Sequence, residues 1–373
     1  MQIRDQYREF LNSIFFKFVR KLTRSNRFQA EILEIIKDYI PKNRLMQEVE
    51  YNNEIPEYKE LGSLSEDELD PYKEIIFITA GFRSGSTLLW NIFRHLDGFT
   101  AYYEPLLHEK PSNRGRARNF QTDASHVGVD DYHAEFKSIP DLDALHVSDW
   151  AFKNLYMGAD DFDYKLERYI DKLVQEADGK SVLQFNRADF RLAWLKNRYP
   201  TARIIHLFRN PRDQWISKIK NDVYIPREYQ FTDDFYPAMN AFYLYDWWKA
   251  LRLEMPFLEM DLLTHPYQIH FLLWRVSYLY GKKYSDISIC FESLLDTPDQ
   301  ILRNLMIFLG LNTSYASQVR HLISGGAQKE TWREYADEDW FKELEKQSEL
   351  LLRAYFQSPR FFEKKMMEEK PYR

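Results

Sequence analysis

Residues 74–87 read Glu-Ile-Ile-Phe-Ile-Thr-Ala-Gly-Phe-Arg-Ser-Gly-Ser-Thr. A short apolar run, Ile75 to Ala80, passes into a glycine-bearing turn. Apolar residues at helical spacing follow: Leu88, Leu89, Ile92, Phe93 and Leu96. The pattern predicts a strand, a tight loop and a helix. Such a loop aims backbone N–H groups and the positive end of the helix at an anion. It differs from the loop that binds nucleoside triphosphates, G-x-x-x-x-G-K-[ST], whose lysine reaches the terminal phosphates. Here Ser86 stands in the lysine position, only three residues separate Gly81 from Gly85, and the basic group lies upstream at Arg83.

A second segment, Ala202 to Ser217, reads Ala-Arg-Ile-Ile-His-Leu-Phe-Arg-Asn-Pro-Arg-Asp-Gln-Trp-Ile-Ser. Ile204 to Phe208 is strand-like, Asn210 suits a helix N-cap, and Pro211 suits the first helical position. Arg209 is thereby predicted at the carboxyl end of a strand, where open α/β sheets bind ligands. Ser217 falls on the face of Asp213, four residues on. An arginine and a serine so placed suit a second phosphate.

The two segments together resemble sulfotransferases that use 3′-phosphoadenosine 5′-phosphosulfate (PAPS). Arg83-Ser84-Gly85-Ser86-Thr87 looks like their 5′-phosphosulfate loop. Arg209 to Ser217 looks like their 3′-phosphate motif, with its arginine-to-serine spacing of eight. Ile287 to Leu311 resembles their closing strand and helix, with Phe291-Glu292-Ser293-Leu294-Leu295, Pro298 and Phe308-Leu309-Gly310-Leu311. The resemblance spans roughly residues 72–340; two motifs in order are far more specific than either alone. It implies PAPS as donor, adenosine 3′,5′-bisphosphate as product, no required metal, and Arg83, Ser84, Gly85, Ser86, Thr87, Arg209 and Ser217 as donor-binding residues.

The resemblance also assigns chemistry. Arg83 would stabilise charge on the bridging oxygen of the leaving phosphate. Glu104, in Tyr102-Tyr103-Glu104-Pro105, stands where several branches carry a catalytic carboxylate and would be the general base; His108 is the rival. One departure stands out. Many relatives carry a Lys-Thr-Pro-like motif on the middle strand, but this chain reads Gln184-Phe185-Asn186-Arg187. Arg187 either supplies the missing cation or begins the next helix. Gly325, Gly326, Lys329, Trp332 and Arg333 are candidates for the adenine and 3′-phosphate edge.

The rest of the chain frames this reading. It has 373 residues, 45% hydrophobic and 16% aromatic, with net charge −6, which argues against a broad nucleic-acid surface. The single cysteine, Cys290, excludes a disulfide framework, and no run approaches the roughly 18 apolar residues of a membrane span. With no signal peptide legible, a cytoplasmic enzyme of bacterial type is expected. Strands are predicted at Ile75–Ala80, Thr100–Tyr103, Ser181–Phe185, Ile204–Phe208 and Ile287–Phe291, alternating with helices. That alternation predicts an α/β fold: a P-loop-type parallel sheet flanked by helices, with helical N- and C-terminal extensions.

The division expected is an amphipathic helical extension and linker over 1–72, the α/β domain over 73–340, and a helical extension over 341–373. Residues 3–22 carry one apolar stripe and a face rich in Arg4, Arg8, Lys17, Arg20 and Lys21. Such a helix suits docking on its own domain or a second copy, or peripheral contact with an anionic membrane. Residues 257–280 are predicted helical, ended by Gly281. The stretch 105–178, with Arg114, Arg116 and Arg118, reads as a solvated basic loop, a lid, or a handle for an acidic acceptor. Nine Trp and 25 Tyr suit stacking on sugar rings, making carbohydrate the first acceptor guess. A P-loop kinase and a non-catalytic nucleotide-binding protein are the alternatives.

Overall fold

The computed structural model describes residues 45, 48–51, 75–114, 127–222, 225–229, 241–252, 254–323 and 330–357. All belong to one of two compact units, Leu45–Arg373; the other, Met1–Arg44, lies outside the described residues. The basic stripe of 3–22, residues 52–74 of the linker region, Arg116, Arg118, Gly325, Gly326 and Lys329 fall outside them too.

Five strands form one sheet: β1 (Ile75–Ala80), β2 (Phe99–Tyr103), β3 (Lys180–Phe185), β4 (Arg203–Phe208) and β5 (Ile287–Cys290). Their order is β2-β3-β1-β4-β5, and every pairing is parallel. The strands read as near-continuous apolar runs because helices cover both faces. The described α-helices are α1 (Ser86–Arg94), α2 (Leu142–Leu145), α3 (Tyr164–Gln175), α4 (Leu192–Arg198), α5 (Pro211–Asp222), α6 (Leu244–Leu251), α7 (Pro266–Tyr284), α8 (Phe291–Asp296), α9 (Pro298–Phe308), α10 (Tyr315–Val319) and α11 (Glu338–Gln357).

Strand alternation divides the core. Ile76, Ile78 and Ala80 of β1 join Leu88, Leu89, Ile92 and Phe93 of α1 and Leu302 and Leu305 of α9 on one face. Phe77 joins Trp215 of α5 and Ile269, Leu272 and Val276 of α7 on the other. The chain therefore leaves β1 toward one face and leaves neighbouring β4 toward the other. The crevice between those exits is where open α/β sheets bind ligands.

One predicted helix needs correcting. Residues 257–280 are not one helix: Pro256–Leu258 and Met260–Leu262 are single 3₁₀ turns, and α7 begins only at Pro266. His265 caps it, accepting from the Tyr267 N–H, while Gln268 reaches back to the His265 N–H. Nor does Gly281 end the helix, which continues to Tyr284. A Cβ on Gly281 would lie 2.2 Å from the His206 ring, so this glycine lets α7 pass close over β4.

The described residues of 105–178, which are 105–114 and 127–178, form short turns, α2 and α3. Arg114 is buried rather than solvated, which removes it as a basic handle. Its guanidinium donates to the carbonyls of Pro105, Leu107 and Glu109 and lies over the Phe136 ring. It ties down the segment that follows β2.

Candidate active site

The loop after β1 requires unusual backbone. Arg83 has φ 67° and Gly85 has φ 88°, both left-handed. Gly85 is obligatory twice over: a side chain there would be strained, and its Cβ would sit 2.1 Å from the Phe291 ring. Gly85 is also the N-cap of α1 and brings no side chain to cap it. Leu88 N–H bonds back to the Gly85 carbonyl, and the N–H groups of Ser86 and Thr87 lie ahead of that first helical bond. The loop thus presents an uncapped, positively polarised helix end, which fits a phosphate.

The second motif meets it across the crevice. Asn210 caps α5, its side chain accepting from the Arg212 N–H at 2.9 Å, with Pro211 in the first position. Arg209 Nη1 donates to the Arg83 carbonyl at 3.1 Å. Its guanidinium lies over the Phe291 ring and near Glu292, 3.9 Å from Nε to Oε1. Arg83 Nε donates to Ser217 Oγ at 2.9 Å. Two motifs some 120 residues apart in the chain are thus joined at a side-chain hydrogen bond. From α5, Gln214 completes the loop's support, donating to the Phe82 carbonyl and to Ser84 Oγ. Ser84 Oγ in turn donates to the Gly81 carbonyl.

Two loop hydroxyls point toward the β2–β3 side. Ser86 Oγ donates to Asn186 Oδ1 at 2.8 Å. Thr87 Oγ1 and the Tyr103 hydroxyl lie 2.9 Å apart. Burial, reinforced by Glu104, holds the Tyr103 phenol well above its usual range, so it stays protonated. Glu104 follows directly. It is 8% exposed with φ 44°, and it receives hydrogen bonds from Asn186 Nδ2 on Oε1 and from Arg187 Nη1 on Oε2. Each carboxylate oxygen keeps a further lone pair. Arg187 does not begin a regular helix: a 3₁₀ turn, Asp189–Arg191, intervenes before α4. Its guanidinium is instead the ion-pair partner of Glu104 and lies over the rings of Phe82 and Tyr243.

Residues 241–243 lie over these groups. Arg83 is over the Phe242 ring, and the Tyr243 hydroxyl is 2.9 Å from His108 Nδ1. Phe242 and Tyr243 have φ 52° and 62°. Seven described non-glycine residues have positive φ, and four of them (Arg83, Glu104, Phe242 and Tyr243) meet here. Left-handed backbone costs such residues roughly 1–2 kcal/mol each, and clustering of that cost is common at functional sites.

Behind the loop, on the α5–α7 side, a cavity of about 40 Å³ is lined by Gly81, Ser84, Asp189, Gln214, Lys218 and Ser277 among others. Thr79 and Ser277 donate to the two oxygens of Asp189, and Lys218 Nζ is 3.1 Å from His270 Nδ1. Burial pushes the Asp189 carboxyl up and pulls the Lys218 ammonium down to about 7. These groups, and Asn186, were missed in the sequence. Asn186 had a usable signal, since it stands just past the carboxyl end of a predicted strand. Asp189 and Lys218 had none, being brought together only by the packing of α5 and α7.

Of the late candidates, Trp332 is buried against Phe341 and Arg212 and serves packing. Arg333 is exposed and paired with Glu330. The segment before them is nevertheless docked at the site: Asp213 accepts from the N–H groups of Glu330 and Trp332 and from the Thr331 hydroxyl.

A sequence model described as the sulfotransferase family matches residues 76–315. No curated protein matches the chain. Among solved structures, it is similar to the sulfotransferase domain from the Synechococcus PCC 7002 olefin synthase. That match has 14% identity and a TM-score of 0.31, over 80% of this chain and 96% of that one.

Proposed function

The chain belongs to the sulfotransferase family, and we propose that it moves a sulfuryl group from PAPS to a hydroxyl of its acceptor. The observation that carries this reading is the contact between Arg83 and Ser217, which makes one site of the two phosphate motifs. Adenosine 3′,5′-bisphosphate has two phosphates to place. The uncapped end of α1 suits the 5′-phosphate, and Arg209 with Ser217 suits the 3′-phosphate.

Sulfuryl transfer resembles phosphoryl transfer in that positioning and charge stabilisation supply most of the catalysis. Arg83, held by Ser217 and Phe242, would stabilise charge on the departing phosphate. Glu104 would take the acceptor proton; its place beside the loop, through Asn186 and Ser86, supports it over His108, which pairs with Tyr243. Carbohydrate is the acceptor class we favour, because half-buried Phe242 and Tyr243 offer aromatic surface beside Glu104 and Arg83.

Calorimetry with adenosine 3′,5′-bisphosphate and AMP tests the donor. The bisphosphate should bind roughly 10- to 100-fold tighter, the scale of one or two hydrogen bonds to a charged group. Arg209→Ala should remove most of that difference. Equal affinities for the two nucleotides would overturn the reading.

A further inference from the structure

We infer that Asn186 is a positioning residue that couples the donor loop to the Glu104 carboxylate; the inference rests on the sulfuryl-transfer reading for what Glu104 does. It is carried by a closed ring of hydrogen bonds. The backbone N–H of Glu104 donates to Gln184 Oε1 at 3.4 Å. Gln184 Nε2 donates to Asn186 Oδ1 at 3.0 Å. Asn186 Nδ2 donates to Glu104 Oε1. The ring starts at a group that can only donate and ends at one that, ionised, can only accept. Both amide orientations follow from those two ends.

The ring therefore grips residue 104 by backbone and side chain together. That grip suits a residue held at φ 44°, a conformation its own preferences resist. It is set by sheet register: Tyr103 pairs with Gln184, so the residues just past both strand ends lie side by side. Gln184 is fully buried and Asn186 nearly so, which leaves the amides no competing water. Into this ring the Ser86 hydroxyl donates from the first turn of α1, at Asn186 Oδ1. Ser86 belongs to the turn that faces the phosphate. An anion that draws the Ser86 proton leaves Asn186 Oδ1 with Gln184 as its remaining donor, and the change reaches Glu104 through one amide.

The test reads Glu104 directly and needs no acceptor. Protein labelled with ¹³C at glutamate carboxyls is titrated by NMR, and the Glu104 signal is identified by its loss in Glu104→Gln. In Asn186→Asp, a carboxylate replaces the donor facing Glu104, so the Glu104 signal should titrate at least one pH unit higher than in the wild type. Adenosine 3′,5′-bisphosphate should move the wild-type Glu104 signal and leave it in place in Asn186→Ala. An unchanged titration in Asn186→Asp, or an equal bisphosphate response in Asn186→Ala, would overturn the coupling. Asn186→Ala should keep its bisphosphate affinity within a fewfold; a collapse of affinity would make Asn186 a structural prop instead. Failure of the wild type to prefer bisphosphate over AMP counts against the donor reading alone, since the Asn186→Asp titration is measured without nucleotide.

Discussion

On one face of β1, Ile76, Ile78 and Ala80 meet the aliphatic and aromatic side chains of α1 and α9. On the other, Phe77 is followed by Thr79, whose hydroxyl donates to buried Asp189, with Lys218, His270 and Ser277 close by. The same strands thus carry a dry layer and a layer seeded with titratable groups. The dry layer anchors α1, whose N-terminus must hold its position for the loop to work. The polar layer lies beneath α5, which carries Ser217 to Arg83. A dry face responds to lost volume and hardly to pH; a face with buried ionisable groups responds to both. The difference makes each face open to its own test.

The largest effect should come from acid. Burial holds the imidazoles of His133, His146, His206 and His265 down at about 4, and His270 well below its usual value. In the unfolded chain all five protonate near pH 6.5. The folded values are depressed, so the unfolded chain binds more protons and stability falls as pH drops from about 6.5 toward 4. Each proton is worth about 1.4 kcal/mol per pH unit at most. Asp189 and Glu135, whose carboxyls burial raises, act in the opposite sense, but they are two groups against five. Urea unfolding across this window should show a loss of several kcal/mol. Three of the five, His206, His265 and His270, lie on the α5–α7 side, so a flat profile would remove the pH response assigned to that face.

Next in size is a cavity in the dry layer. Leu305 is fully buried there, and Leu305→Ala should cost about 2–5 kcal/mol. The cost should be the same at pH 6 and pH 8. A strongly pH-dependent cost would mean that the two layers are not separable.

The smallest effect belongs to Lys218. Its folded value of about 7 lies below the unfolded value near 10.4. Between those values the unfolded chain carries the extra proton, so stability should rise as pH climbs from 7 toward 10. Lys218→Met should flatten that rise, by roughly 1 kcal/mol per pH unit. The slope is the quantity to measure, since the variant also strips His270 of a hydrogen-bond partner. An unchanged slope would show that Lys218 keeps its proton when folded.

What the sequence disclosed follows the same division. The strands appear as short runs rich in apolar residues between longer segments of helical spacing, and all five were placed to within a residue. The cap at Asn210 and Pro211 is a local signal and was legible. The start of α7 was not: Phe257, Leu258, Leu262 and Leu263 continue an apolar pattern through two 3₁₀ turns, and the cap is a histidine, outside the usual N-cap residues. Arg83 to Thr87 and Arg209 to Ser217 lie within two short segments and could be read together. The ion pair of Glu104 with Arg187 spans 83 positions and exists only because β2 and β3 are neighbours in register. The pairing of Asp189 with Ser277 depends on α7 crossing that same sheet.

The docking of the late segment bears on how short this chain can be made. The family match ends at residue 315, and every strand and both phosphate motifs lie within or just before it. Yet Arg212, on α5, makes a two-pronged contact with Glu345 of α11, and buried Arg275 pairs with Glu349. Asp213 meanwhile satisfies three donors between Glu330 and Trp332. A chain ended at 323 would keep the motifs and deprive two guanidinium groups and one carboxylate of these partners. Breaking a buried pair from one side typically costs about 3–5 kcal/mol, a large part of a domain's net stability of roughly 5–15 kcal/mol. A chain cut at 323 should therefore keep the family's signature and lose much of the stability that holds it folded.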